Sequence, residues 1–248
     1  MTTSGLKQRL EQTREILAGY VCVIPSAVSV QAMAAAGADW VVIDQEHGPI
    51  GPESMHAMIA ATAGTRCAPL VRVPKADAAY VKLALDAGAE GILFPLVNTA
   101  EDAARCVSLI RYPTQGRGGW GPFIGGVSVF DYLPKRSGEN VCMLLIETRA
   151  AVENIEAICK VEGVDCIIVD AFDLSSDLGV SGLLDAPEMR DAIGRLEKVI
   201  LEAGIPLGTY ALSPEQTRAL LDKGYRLPVH GVDVLMIAGL VRQTAEWR

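Results

Sequence analysis

Eight short apolar runs rich in Val, Ile and Leu recur along the chain, at 20–24, 40–44, 68–72, 91–95, 141–147, 165–169, 205–209 and 228–232. Between them lie Ala- and Leu-rich stretches with helical spacing, at 29–36, 53–63, 77–87, 99–110, 150–160, 186–203 and 214–222, and a last one from 234 onward. Strands that alternate with helices pair in parallel, because each helix carries the chain back to the end of the sheet where the previous strand began. Eight such units in 248 residues predict a (β/α)8 TIM barrel, an α/β fold. A doubly wound sheet fits less well, since Pro25-Ser26-Ala27 follows the first run where a Gly-rich phosphate loop would stand. With no internal repeat and no Pro- or Ser-rich linker, residues 1–248 read as one domain.

The rest of the composition narrows the partners. Half of the residues are apolar, enough for an ordinary core, and 22 basic against 30 acidic residues give a net charge of −8. That balance argues against a nucleic-acid or anionic-membrane surface and for a small-molecule partner. The six cysteines show no Cys-x-x-Cys or Cys/His pairing, which reads as a reduced, cytoplasmic protein. Lys7, Arg9, Glu11, Arg14 and Glu15 precede any apolar stretch, so a signal peptide is not expected; nor is a membrane span, for want of a long uncharged run. Two segments stand apart. The connection after Ile110 carries Gly116, Gly118, Gly119, Gly121, Gly125 and Gly126, and reads as a substrate lid, a surface excursion or an oligomer contact. The run Val234 to Val241 is more apolar than a one-faced surface helix needs, which predicts burial in a subunit interface of a homo-oligomer, with packing on its own barrel as the alternative.

In a barrel of this kind the site lies at the C-terminal ends of the strands, so the polar residues that end the apolar runs are the candidates. Val41-Val42-Ile43 ends in Asp44-Gln45-Glu46-His47, Pro69-Leu70-Val71 in Arg72, Leu144-Leu145-Ile146 in Glu147, and Ile167-Ile168-Val169 in Asp170 with Asp173 three residues on. Singly, each could be a helix cap or half of an ion pair. Together, Glu147 and Asp173 supply hard oxygen ligands with no ligating Cys or His beside them, which suits Mg²⁺ or Mn²⁺. Arg72 could hold a substrate carboxylate bidentately, and His47 could move a proton. The residues alone point to cation-assisted proton abstraction next to a carbonyl.

The stretches Ala38 to Pro49 (ADWVVIDQEHGP), Pro69 to Pro74 (PLVRVP), Leu85 to Ala89 (LDAGA), Ile146-Glu147-Thr148, and Val161 to Asp165 followed by Asp173-Leu174-Ser175 resemble the HpcH/HpaI aldolase family of class II pyruvate aldolases. The resemblance runs from about residue 18 to residue 233. It implies a barrel, usually hexameric, that joins or cleaves a 2-oxo acid, pyruvate or hydroxypyruvate, and an aldehyde. By position it implies Glu147 and Asp173 as metal ligands and His47 as proton acceptor. Arg72 would hold the donor, Asp86 would raise the basicity of His47, and Asp44 would support it. No Schiff-base lysine is required; Lys75 falls in a loop and Lys82 on a helix.

This chain departs from the family pattern at the expected pocket. It has Asp170-Ala171-Phe172-Asp173-Leu174 where the family commonly has Gly-Pro-x-Asp-Leu, and Leu145 where many members have a substrate-binding Gln. Leu145, Asp170, Phe172 and Asp173, with Arg72, are therefore the expected substrate contacts. Asp170 either caps the turn at Leu174-Ser175 or faces the site and tunes the donor. The alternatives are a citrate-lyase-like or isocitrate-lyase-like carbon–carbon lyase, and a catalytically silent barrel that binds a 2-oxo acid or metal.

Overall fold

The strands come from segments that are apolar at most positions, because both of their faces are largely covered. In the computed structural model, which describes residues 5–111, 138–245 and 247, they are β1 (Gly19–Cys22), β2 (Trp40–Asp44), β3 (Ala68–Arg72), β4 (Gly91–Phe94), β5 (Val141–Ile146), β6 (Cys166–Val169), β7 (Leu207–Tyr210) and β8 (Leu227–Val232). All eight pair in parallel in chain order, and β8 closes on β1. The predicted barrel is the observed one.

Two apolar clusters hold it together. One fills the space between the barrel wall and its helices. The other fills the barrel itself, with Val42, Leu70, Leu145 and Ile168 in its middle and Leu6, Leu10 and Leu17 closing the N-terminal end. Leu6 and Leu10 belong to a helix, Leu6–Gln12, that the apolar periodicity did not predict. It is anchored by the buried Arg9, whose guanidinium bonds Asp39, and by Trp40 Nε1, which donates to Leu17 O at 2.8 Å. Gly19 is required there: a Cβ would lie 2.1 Å from the Trp40 ring.

Three local departures from the predicted elements have visible causes. The helix expected over 150–160 is broken at Asn154 into Arg149–Glu153 and Ile155–Ile158. The Asn154 amide donates to both Asn98 O and Ala150 O at 3.0 Å, which satisfies groups outside a continuous helix. The stretch after β6, to which the periodicity assigned no element, is a helix, Ala171–Asp177, capped by Asp170. The C-terminal helix, Asp233–Ala245, is rooted by Asp233, whose carboxylate accepts from the amides of Val23 and Ile24 at 3.1 and 3.0 Å. Beyond that root its apolar residues stay exposed, Leu235, Ile237, Leu240 and Val241 each by more than half. The helix does meet β1 and β8 of its own barrel, but Asp233 is its only buried residue.

All six cysteines are free thiols. Among the described residues no helix is long and apolar enough to cross a membrane. The Gly-rich segment that carries Gly116 to Gly126 lies outside the described residues.

Candidate active site at the barrel mouth

Side chains on a strand alternate between its two faces, so the residue two positions beyond an interior one points inward again. Val42, Leu70, Leu145 and Ile168 fill the barrel, and two residues on from each stand Asp44, Arg72, Glu147 and Asp170. This spacing turns four apolar strands into one polar mouth. Leu145 itself is 2% exposed and forms the apolar floor beneath Glu147.

On one side, β2 and β3 set Asp44 opposite Arg72. Arg72 Nε and Nη2 donate to the two oxygens of Asp44 at 2.8 and 2.5 Å, and both residues are buried. The bidentate edge expected to grip a substrate is therefore engaged by Asp44. Nη1 faces Glu46 Oε2 at 3.2 Å, and among the described residues the remaining Nη hydrogens meet no other acceptor. Burial disfavours the Arg72 charge, yet the hydrogen bond and charge of Asp44, with Glu46 behind them, raise the guanidinium further above its usual range. Asp44 Oδ1 also accepts from the amides of Glu46 and His47 at 3.0 and 3.3 Å, which folds the turn that presents His47. Gly48 permits that turn, since a Cβ would lie 2.4 Å from Asp44 O. His47 is 62% exposed in its side chain, with Nε2 3.6 Å from Glu46 Oε2. Burial raises the Glu46 carboxyl above its ordinary value despite the nearby Arg72.

On the other side, Glu147, Asp170 and Asp173 each place a carboxylate oxygen within 4.8 Å of the others. Glu147 and Asp170 are buried and Asp173 is exposed, so the cluster opens to solvent. Burial, with the charges of Glu46, Asp170 and Asp173, pushes the Glu147 carboxyl up to about 7 against the opposing hydrogen bond from Leu96. Three crowded acids with only oxygen donors fit a hard divalent cation, which relieves their mutual repulsion.

Asp170 caps the helix and also faces the mouth. Its Oδ1 accepts from the amides of Phe172 and Asp173 at 3.0 and 3.3 Å, two residues earlier than the expected cap at Leu174-Ser175, while the residue also belongs to the acid cluster. Phe172 is half exposed and meets the Tyr210 ring edge-on, with centroids 6.1 Å apart.

Asp86 is the one expected site residue that the chain does not bring to the mouth. It ends the helix Ala78–Asp86, which runs back to the start of β4, so it sits at the opposite rim from His47. There it lines a groove of about 270 Å³ with Pro52, Met55, His56 and Leu83. Two residues at the mouth escaped the sequence reading. Glu46 lies inside the quoted motif but was given no role, although it touches both Arg72 and His47. Tyr210 was missed because its apolar run was ended at 209; counting on by two from Gly208, whose Cβ would meet Ile168, finds it.

The fold and the mouth define a class: parallel (β/α)8 barrels with a ring of carboxylates set beside a buried guanidinium. The HpcH/HpaI aldolase/citrate lyase pattern matches residues 23–238, and the chain belongs to that family of aldolases and carbon–carbon lyases. It is 35% identical over 225 residues to the hydroxypyruvate/pyruvate aldolase of Roseovarius nubinhibens, covering 89% of this chain and 88% of that one. It is 33% identical over 219 residues to the 4-hydroxy-2-oxo-heptane-1,7-dioate aldolase of Shigella sonnei, covering 87% and 84%. A crystal structure of an HpcH/HpaI aldolase/citrate lyase family protein from Burkholderia cenocepacia J2315 superposes with a TM-score of 0.91 at 32% identity, over 97% of each chain.

Proposed function

We propose that this protein catalyses reversible aldol addition and cleavage between a 2-oxo acid donor, pyruvate or hydroxypyruvate, and an aldehyde. The observation that carries this reading is the pairing, across one barrel mouth, of the Glu147–Asp170–Asp173 cluster with the Asp44–Arg72–Glu46–His47 constellation. The names of the relatives support the donor class.

Glu147 and Asp173 would hold a divalent cation, Mg²⁺ or Mn²⁺, with Asp170 beside them. Such a cation, when bound, polarises the donor carbonyl and lowers the cost of placing negative charge on its oxygen. The remaining work falls to the chain. His47, exposed at the mouth, takes the proton from the donor's third carbon. Arg72, held in place by Asp44, turns its free Nη hydrogens toward the donor and adds fixed positive charge where the enolate forms. Leu145 closes the floor, and Phe172 with Tyr210 forms an aromatic wall. Asp86 can serve His47 only from a neighbouring copy, because its own chain holds it at the far rim.

The direct test is exchange of the methyl protons of pyruvate, followed by NMR in D₂O with Mg²⁺ or Mn²⁺ present and absent. Exchange that needs both protein and cation supports the proposal; none under either condition sinks it.

Asp170 makes a separate expectation. Asp170→Gly removes the side-chain cap, but glycine is itself tolerated at an N-cap, so stability should fall by only about a few tenths of a kcal/mol. It also removes a carboxylate that can accept a hydrogen bond from the hydroxyl on the third carbon of hydroxypyruvate. The ratio of hydroxypyruvate to pyruvate turnover should therefore fall in the same variant. A stability loss with an unchanged ratio would leave Asp170 as a cap alone.

The exposed apolar face of Asp233–Ala245 is best covered by a second copy, in keeping with the homo-oligomer, a hexamer, that the family resemblance implies. Light scattering should give a mass that is a multiple of 26.4 kDa, and a single-chain mass would refute the assembly.

A further inference from the structure

Leu96 is the only non-glycine residue with positive φ among the described residues, at +54°. A leucine gains nothing intrinsic from that left-handed backbone, whose Cβ crowds the following carbonyl oxygen. Its side chain is 58% exposed, so core packing does not explain the conformation either. The Leu96 amide donates to Glu147 Oε1 at 2.6 Å, and the left-handed φ turns the chain sharply just after that bond.

The surrounding chain over-determines this arrangement, as strained residues at functional sites require. On one side β4 ends at Phe94, two residues before Leu96, and Phe94 is fully buried. On the other, Val97 is buried, and Asn98 receives hydrogen bonds from Thr148 and from the Asn154 amide. The amides of Asn98 and Thr99 then donate to Asp102, which closes the capping box of the next helix, Ala100–Ile110. Thr148 and Asn154 both follow Glu147 in the β5 connection, so the contacts they make with Asn98 tie the loop of Leu96 to the segment that carries Glu147. The strained residue and the carboxylate are braced as one unit.

We propose that Leu96 is a positioning residue for Glu147: the left-handed turn braces the amide that holds Oε1 and so sets the orientation of the carboxylate toward Asp170 and Asp173. This rests on the reading of Glu147 as a cation ligand. A carboxylate held in this way has one orientation to offer, which spares a cation the cost of ordering it on binding. Groups that orient metal ligands are worth 10- to 100-fold in metal affinity.

The test is Mn²⁺ binding to the substrate-free protein, measured by electron paramagnetic resonance alongside thermal melting. Leu96→Asn keeps a residue that tolerates left-handed backbone and should retain the affinity within about threefold. Leu96→Ile, β-branched and excluded from that region, should weaken Mn²⁺ by about 10- to 100-fold. Replacing Leu96 with its α-hydroxy acid removes only the N–H and keeps the side chain; it should weaken Mn²⁺ to the same extent, and it decides the matter if the Ile variant does not fold. A turn that merely supports the fold predicts a lower melting temperature in Leu96→Ile with Mn²⁺ affinity unchanged in it and in the ester variant, and that result overturns the proposal. Glu147→Gln separates the two layers of the argument. Affinity lost there but kept in the ester variant defeats the positioning role alone, whereas affinity kept in Glu147→Gln defeats the ligand reading and the proposal with it.

Discussion

Replacing His47 with alanine should slow exchange of the pyruvate methyl protons by about 10²–10⁴-fold, the range for loss of a positioned general base, while Mn²⁺ affinity stays near that of the parent protein. The two readouts separate because the imidazole and the acid cluster come from different strands. His47 follows β2 and is held through its amide by Asp44, whereas the cluster follows β5 and β6. Removing an exposed imidazole leaves no cavity, so the fold should be unaffected. Exchange by NMR in D₂O measures the proton step without any assumption about the aldehyde. Should exchange persist at the parent rate, the base lies elsewhere at the mouth. Glu46, 3.6 Å from the imidazole and with a carboxyl raised by burial, is then the residue to change. Glu46→Gln would lose exchange in that case and keep most of it if His47 is the base.

Much of this molecule is legible as periodicity. Each strand occupies the apolar run that announced it, within one or two residues at most ends, because runs such as 40–44 and 68–72 are buried on both faces and tolerate no polar residue until the barrel opens. The same rule made the mouth legible. Asp44, Arg72, Glu147 and Asp170 are the first inward positions beyond the core, so ending an apolar run and facing the site are one physical fact. Tyr210 shows how narrow the margin is, since ending the run one residue early hid a phenol that burial and the nearby Asp170 hold above its usual pKa. What depends on a side chain choosing among partners was not legible. Nothing in the order of residues tells that Arg72 would turn its Nε edge to Asp44 instead of a ligand, or that Asp170 would cap a helix and join the acids at once. Asp86 illustrates a third limit: its motif carried a role, but only the direction of the helix that ends in it places it away from the strand ends that form the mouth.

Stripping divalent cations should lower aldol turnover by about 10³-fold or more, because polarising a carbonyl with a metal ion supplies several kcal/mol and each 1.4 kcal/mol is a factor of ten. Adding back Mg²⁺ or Mn²⁺ should restore it. Glu147→Gln should reproduce the loss at ordinary cation concentrations. The substitution keeps the side chain's size and the oxygen that accepts from Leu96, but it removes the charge from a group set among Asp170 and Asp173. For the same reason its fold should hold or gain: a neutral amide in place of a buried, crowded carboxyl no longer repels its neighbours, so the cation-free variant should melt no lower than the cation-free parent. That opposition, with activity down and metal-free stability level or up, is what distinguishes a cation ligand from a carboxylate that holds the barrel together. A structural acid predicts the reverse, lower stability with the cation response intact. Turnover that survives both chelation and Glu147→Gln would remove the cation from the chemistry and leave Arg72 to carry the charge of the enolate. Arg72→Lys should then be more damaging than any loss from the acid cluster, because the lysine cannot bridge both oxygens of Asp44 while still facing the donor.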